Sequence, residues 1–286
     1  MTKQRINLND LPTYSVWPAR LLGLAPWTTP HRTIEKIDEE YDKDKYARCL
    51  DYYIHAGEKT IYEDIKQFEL GIDLASKVSI SYGDELYNVC LSEAKAEYNR
   101  LLLDTVNAEV KKCKTIVELG CGYGYNLCVL KQQFPAKTFL GGEYSENAVE
   151  LASRLYKYEH NIRVLYFNFY DEKSYTFLQR LTPPIVVFTA HAIEQLQSAS
   201  PILDALLRYR EILQAVFHLE PVPQLQNETL LGLMRRRYAA INDYNRDLLS
   251  ELQKRSYIRI LDIQTNVIGL NPLNPTSVIQ WEFSRI

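Results

Sequence analysis

The chain has 286 residues, 46% hydrophobic and 24% charged, with a formal net charge of −3. This is globular composition; the lack of a long Lys/Arg block argues against a nucleic-acid partner, and no uncharged apolar run approaches the ~18 residues of a membrane span. The five cysteines are odd in number and form no C-x-x-C pair, so neither a disulfide framework nor a zinc site is expected, and no metal is assigned.

The first residues, Met-Thr-Lys-Gln-Arg-Ile-Asn, lack the apolar stretch of a signal peptide, and a reducing, cytoplasmic location is the expectation. Pro12, Pro18, Pro26 and Pro30 punctuate residues 1–30, with Trp17 and Trp27 as anchors. Thr33 to about Ile54 reads as helix with a break near Tyr41, and Ile61–Leu74 as a second helix. A third runs from Asp84 to about Val110, on apolar residues at Leu86, Val89, Cys90, Ala94, Tyr98, Leu101 and Leu102, which is helical spacing. Before residue 114 only Val78–Ser81 reads as a strand.

The texture then changes. Strands are predicted at Thr115–Leu119, Thr138–Gly142, Arg163–Phe167, Ile185–Thr189 and Gln214–Leu219. Helices are predicted at Asn126–Gln133, Ser145–Tyr158 (with Ser145 as N-cap), Ser200–Leu213 and Asn227–Lys254. Two more strands, Ile258–Ile268 and Ser277–Phe283, have only a loop between them and should pair antiparallel. Strands alternating with helices predict an α/β fold: a doubly wound, mostly parallel seven-stranded sheet with an antiparallel last strand, preceded by an N-terminal helical cap. The boundary falls near residue 85, with 1–84 as cap or lid and 85–286 as the main domain.

The chemistry concentrates in Val117-Glu-Leu-Gly-Cys-Gly-Tyr-Gly-Tyr-Asn126. Gly120, Gly122 and Gly124 follow a β-branched strand and precede a helix, where glycine lets the backbone turn sharply and approach a ligand. Glu143, at the end of the next strand, can accept both ribose hydroxyls of a nucleoside. A dinucleotide site reads G-x-G-x-x-G; here the third glycine comes one residue early. Glu118 beside the loop would repel a pyrophosphate but favour an ammonium group. The charge logic therefore favours S-adenosylmethionine over NAD, with a ligand-free glycine turn as the bland alternative.

Val117–Asn126 resembles motif I of class I S-adenosylmethionine-dependent methyltransferases, which share a Rossmann-like fold, and the resemblance extends over roughly residues 85–286. It implies that Gly120 and Gly122 pass close to the methionine moiety and that Glu143 holds the ribose. Asn168 would contact the adenine amino group, where the family commonly has an acid, with Asp171 as its rival, and Phe169 would pack on the ring. Asn126, Tyr144 and Ala190 complete the candidate cofactor contacts in the main domain. Segments before motif I often cover the cofactor in this class. That makes Tyr41 and Tyr46, with Trp27 and Arg20, lid candidates, a tyrosine hydroxyl or the arginine being able to hold the methionine carboxylate; core aromatics of a cap is the competing assignment.

For the acceptor, His191 lies just past the fourth strand and has a reference pKa near ~6.5, suited to a general base, with Glu194 to orient it; a packing histidine is the plainer option. Alternation puts His218 and Glu220 on one face of the fifth strand, so Glu220 either reaches substrate or caps a neighbouring helix. Tyr238, Asn242 and Asn245 form an i, i+4, i+7 stripe facing solvent or a polar pocket. The loop Asn271-Pro-Leu-Asn-Pro-Thr-Ser277 could reach the same pocket. The expected activity is methyl transfer to oxygen, or nitrogen, of a small polar molecule or a natural-product or peptide acceptor. A catalytically silent scaffold and a nicotinamide oxidoreductase are the alternatives. Nothing in the sequence sets an oligomeric state.

Overall fold

A computed structural model describes residues 3–284. Among the described residues, ten strands form two sheets. The larger contains β4 (Thr115–Leu119), β5 (Thr138–Glu143), β6 (Ile162–Tyr166), β7 (Ile185–Ala190), β8 (Leu213–Glu220), β9 (Ile258–Ile268) and β10 (Thr276–Phe283). Their order is β6-β5-β4-β7-β8-β10-β9. The first five are mutually parallel, and β10 runs antiparallel to both β8 and β9. This is the architecture predicted, with β9 at the edge.

The sheet forms because its central strands are buried on both sides, as parallel strands are. Ile185, Val186, Val187 and Phe188 have no exposed surface; Val186 and Phe188 pack into one core, Ile185 and Val187 into the other. Burying each such side chain contributes about 1.5–3 kcal/mol. The strand order reverses between β4 and β7, and the loops leaving their C-terminal ends face one crevice, where open α/β sheets bind ligands.

The smaller sheet corrects the N-terminal expectation. β1 (Gln4–Ile6), β2 (Lys77–Tyr82) and β3 (Glu85–Cys90) pair antiparallel in the order β1-β3-β2, and the third helix begins only at Leu91. Gly83, at φ +55°, and Asp84 make the tight turn between β2 and β3, a dipeptide suited to a two-residue hairpin. The hairpin docks on the large sheet where Ser81 and Gly269 exchange backbone hydrogen bonds of 2.9 Å. Arg235, buried, secures it by donating to Asp84 Oδ1, Gly83 O and Pro272 O.

Two helical predictions also change. The break near Tyr41 is instead a widened π-helical stretch, Asp38–Tyr46, continuous with helices Ile34–Ile37 and Ala47–His55. The long pattern at 227–254 is two helices, Leu230–Ile241 and Leu248–Gln253, separated where Asp243 adopts φ +52°.

The π-helical stretch lies over the crevice. Asp42 accepts from Ser145 Oγ at 2.6 Å and Asn147 N at 2.9 Å, at the start of helix Glu146–Leu155. Buried Arg32 donates to Glu40 and to the Asn242 carbonyl. Asp42→Ala removes the carboxylate from that helix end and should lower stability by about 1–2 kcal/mol, the usual worth of a capping group. Urea unfolding checks this; a midpoint equal to wild type would mean the contact contributes nothing.

Candidate active site

The crevice encloses a cavity of about 480 Å³. Its floor is the loop after β4. Gly120 and Gly122 have φ of +75° and +56°, the left-handed region that favours glycine. A Cβ at Gly120 would lie 2.4 Å from Ala192 Cβ, and one at Gly122 would lie 2.4 Å from Tyr46 Oη. Gly124 lies outside the cavity wall and packs against Tyr156 and Val164.

Two carboxylates flank this floor. Glu143 is buried and accepts from Gly122 N at 2.7 Å and Ser145 N at 2.9 Å. Burial raises its pKa, against the pull of those N–H groups. Each oxygen keeps lone-pair capacity for a further donor. Glu118 is also buried. One of its oxygens accepts from Asn126 Nδ2 at 2.6 Å; the other, Oε2, has no partner. Burial pushes its pKa up to about 8, with Asn126 opposing and the charge of Glu143 reinforcing. A cationic ligand group would supply the missing donor and restore the charge.

Asn168, Phe169 and Tyr144 line the wall above β5 and β6, with Ala190 at the end of β7. The Asn168 carbonyl oxygen is already used locally, accepting from Tyr170 N at 2.9 Å. Asp171 caps the following 3-10 turn by accepting from Lys173 N.

At the other end, His191 and Glu194 line the cavity together. His191 sits at φ +53°, an uncommon conformation for a non-glycine residue that merits a functional question. Its Nδ1 lies 3.3 Å from Glu194 Oε2, and its Nε2 lies 2.7 Å from Thr276 Oγ1. Glu194 further accepts from Gln195 Nε2 and Asn274 Nδ2. Burial lowers the His191 pKa, but Glu194 and then Glu220 raise it more, leaving it above the ordinary value. The carboxylate beside Nδ1 places a proton there.

Other candidates fall elsewhere. Glu220 has no exposed surface and does not line the cavity; its carboxylate accepts from the backbone N–H groups of Ala192, Ile193 and Glu194. It thus caps the turn that carries Glu194, the second of the two options the sequence offered. Burial raises its pKa to about 7, with His191 opposing. His218 is core: its ring meets Thr189 Oγ1 and Trp281 Nε1, and burial lowers its pKa to about 3.

The i, i+4, i+7 stripe does not survive the split of its helix. Tyr238 lines the cavity, whereas Asn242 and Asn245 do not. Asn242 donates to Tyr238 O, and Asn245 Oδ1 accepts from Leu248 N to start the next helix. In the cap, Tyr41 and Tyr46 line the cavity, but Arg20 lies against the Trp17 and Trp27 rings, away from it. The cations present are instead Lys45, Lys66 and Lys95, which the sequence reading missed. Lys66 and Lys95 lie over the Tyr125 ring, at 5.3 and 5.1 Å from its centroid. Lys45 and Lys66 pair with Glu69; burial pushes that carboxyl upward, but Lys66 and Lys45 overcome it and hold it at about 2. Asn271 and Asn274 of the last loop also line the cavity. Among the described residues, no His/Cys/Asp/Glu group has the arrangement of a metal site, and no helix is long and apolar enough to cross a membrane.

No family model matches the chain and no curated protein matches it. Similar solved structures include a geranyl diphosphate C-methyltransferase from Streptomyces coelicolor A3(2) in complex with S-adenosyl-L-homocysteine, 10% identical, covering 68% of this chain and 81% of that one at a TM-score of 0.48. The plantazolicin methyltransferase BpumL in complex with SAH is 15% identical, covering 68% and 90% at 0.45. The N-methyltransferase NodS from Bradyrhizobium japonicum WM9, with S-adenosyl-L-homocysteine, is 11% identical, covering 66% and 87% at 0.44. Likenesses at these scores carry no functional argument, which rests on the site alone.

Proposed function

We propose that the protein is an S-adenosylmethionine-dependent methyltransferase acting on a small polar or peptide acceptor. One observation carries the proposal: a buried carboxylate oxygen, Glu118 Oε2, without a partner beside a glycine floor, with a second buried carboxylate, Glu143, across from it. That pair of acceptors fits an ammonium group and a ribose diol on one molecule, and it disfavours a pyrophosphate.

When bound, S-adenosylmethionine supplies an activated methyl group on a sulfonium. Glu118 would hold its ammonium, Glu143 its ribose hydroxyls, and Lys66 or Lys95, which line the same cavity, its carboxylate. Phe169 packs on the adenine. Tyr41 and Tyr46 close the roof and exclude water.

His191 is the candidate base for an acceptor hydroxyl, with Nδ1–H fixed on Glu194. Its Nε2 lone pair must exchange the Thr276 hydroxyl for the acceptor's. That contact favours nitrogen as the second acceptor class, because an amine that loses its proton to water needs no base from the protein.

The Glu118 assignment has a pH signature. Well below pH 8 Glu118 is largely protonated in the free protein, and an ammonium ligand prefers the ionised form. Affinity for S-adenosylhomocysteine should therefore rise with pH, by up to about tenfold per unit, and level off above about 8. Calorimetry from about pH 6 to pH 9, across that pKa, is the test. Glu118→Gln should flatten the profile; no binding by wild type at any pH overturns the proposed function.

A further inference from the structure

We infer that Gln195, not Asn168, is the residue that recognises the 6-amino group of the adenine. The inference rests on the proposed cofactor. It starts from the way Asn168 is used: its side-chain oxygen closes a local turn by accepting from Tyr170 N, which holds that amide in the turn. A second amide belongs to the wall of the same cavity. Gln195 is 7% exposed, lines the cavity, and its Oε1 is buried without a partner.

The orientation of that amide is dictated by its neighbour. Nε2 donates to Glu194 Oε1 at 3.0 Å; the opposite flip would set an amide oxygen against a carboxylate oxygen. Oε1 is thus an acceptor that needs a donor, because a buried acceptor left unpaired forfeits its hydration without a replacement.

The loop that carries Gln195 abuts the adenine wall. A Cβ on Gly120 would touch Ala192 on one side and Phe169 on the other, at 2.4 and 3.4 Å. Gln197 N donates to Tyr170 Oη at 3.0 Å. Residues 192–197 and 168–170 therefore form two sides of one slot over the glycine floor, with Phe169 as the flat apolar side and Gln195 as the polar one. A planar ring with an exocyclic amino group satisfies both.

The test compares S-adenosylhomocysteine with its purine analogue lacking the 6-amino group, by calorimetry. Wild type should bind the adenine form roughly tenfold more tightly, the usual scale for one hydrogen bond to a buried amide. Gln195→Met should reduce that ratio to about two or less; any loss from breaking the Glu194 contact weakens both ligands and cancels. Asn168→Ala should leave the ratio near wild type. Equal binding of the two ligands by wild type overturns the inference without needing a variant, as does a preserved ratio in Gln195→Met or a collapsed one in Asn168→Ala. Binding of neither ligand would instead sink the cofactor assignment.

Discussion

Replacing His191 with asparagine should lower turnover about 100-fold or more on an oxygen acceptor, with S-adenosylhomocysteine affinity nearly unchanged. Asparagine is the informative choice because it tolerates the left-handed backbone at this position better than alanine. It removes basicity while keeping the fold of the turn. The sign of the pH dependence follows from the pKa shift. The active form is the neutral ring, and the His191 pKa lies above the ordinary value. Turnover at saturating cofactor should therefore rise with pH to a plateau whose midpoint is above ~6.5, and His191→Asn should abolish that limb. A labelled-methyl assay over an acceptor panel supplies the substrate. Unchanged turnover in His191→Asn would remove the histidine from the chemistry and favour an amine acceptor.

The second large effect is at Glu143. Two hydroxyl donors to a buried carboxylate are worth about 1.5–3 kcal/mol each, so Glu143→Ala should weaken S-adenosylhomocysteine binding on the order of 100-fold or more. The same change strips the acceptor from Gly122 N and Ser145 N, loosening the floor itself. Glu143→Gln keeps a neutral acceptor and should fall between the two. A dissociation constant for the alanine variant within about threefold of wild type would place the ribose elsewhere.

The parts of the fold visible in sequence were those where one local rule dominates. Ile185–Phe188 is a short, fully apolar run and, with Thr189, reads as a buried strand. Glu85–Cys90 does not: Leu86, Val89 and Cys90 match helical spacing, while the inward face of the strand includes Asn88, a buried polar residue that spoils the alternation. The turn before it, Gly83-Asp84, was the available signal. At 242–247 the run Asn-Asp-Tyr-Asn-Arg-Asp is rich in capping residues, which end one helix and start another; the apolar period across it concealed the join.

The candidate site divides in the same way. The glycine loop and Glu143 follow from chain order alone, because strand ends and turns position them. Lys66 and Lys95 sit on helices far apart in sequence and meet only on the Tyr125 ring. Gln195 is unremarkable in sequence; its meaning comes from an oxygen that packing leaves unpaired.

Tyr46 gives the middle glycine a second constraint. Its hydroxyl occupies the space that any side chain at position 122 would need, so the demand for glycine comes from the protein's own roof as well as from a ligand. The two positions form a lock and its key within one chain. A variant that enlarges residue 122 needs a matching reduction at residue 46, and it still carries the strain of a side chain at φ +56°. Positions 122 and 46 are therefore tied to one another, although they lie far apart in the chain.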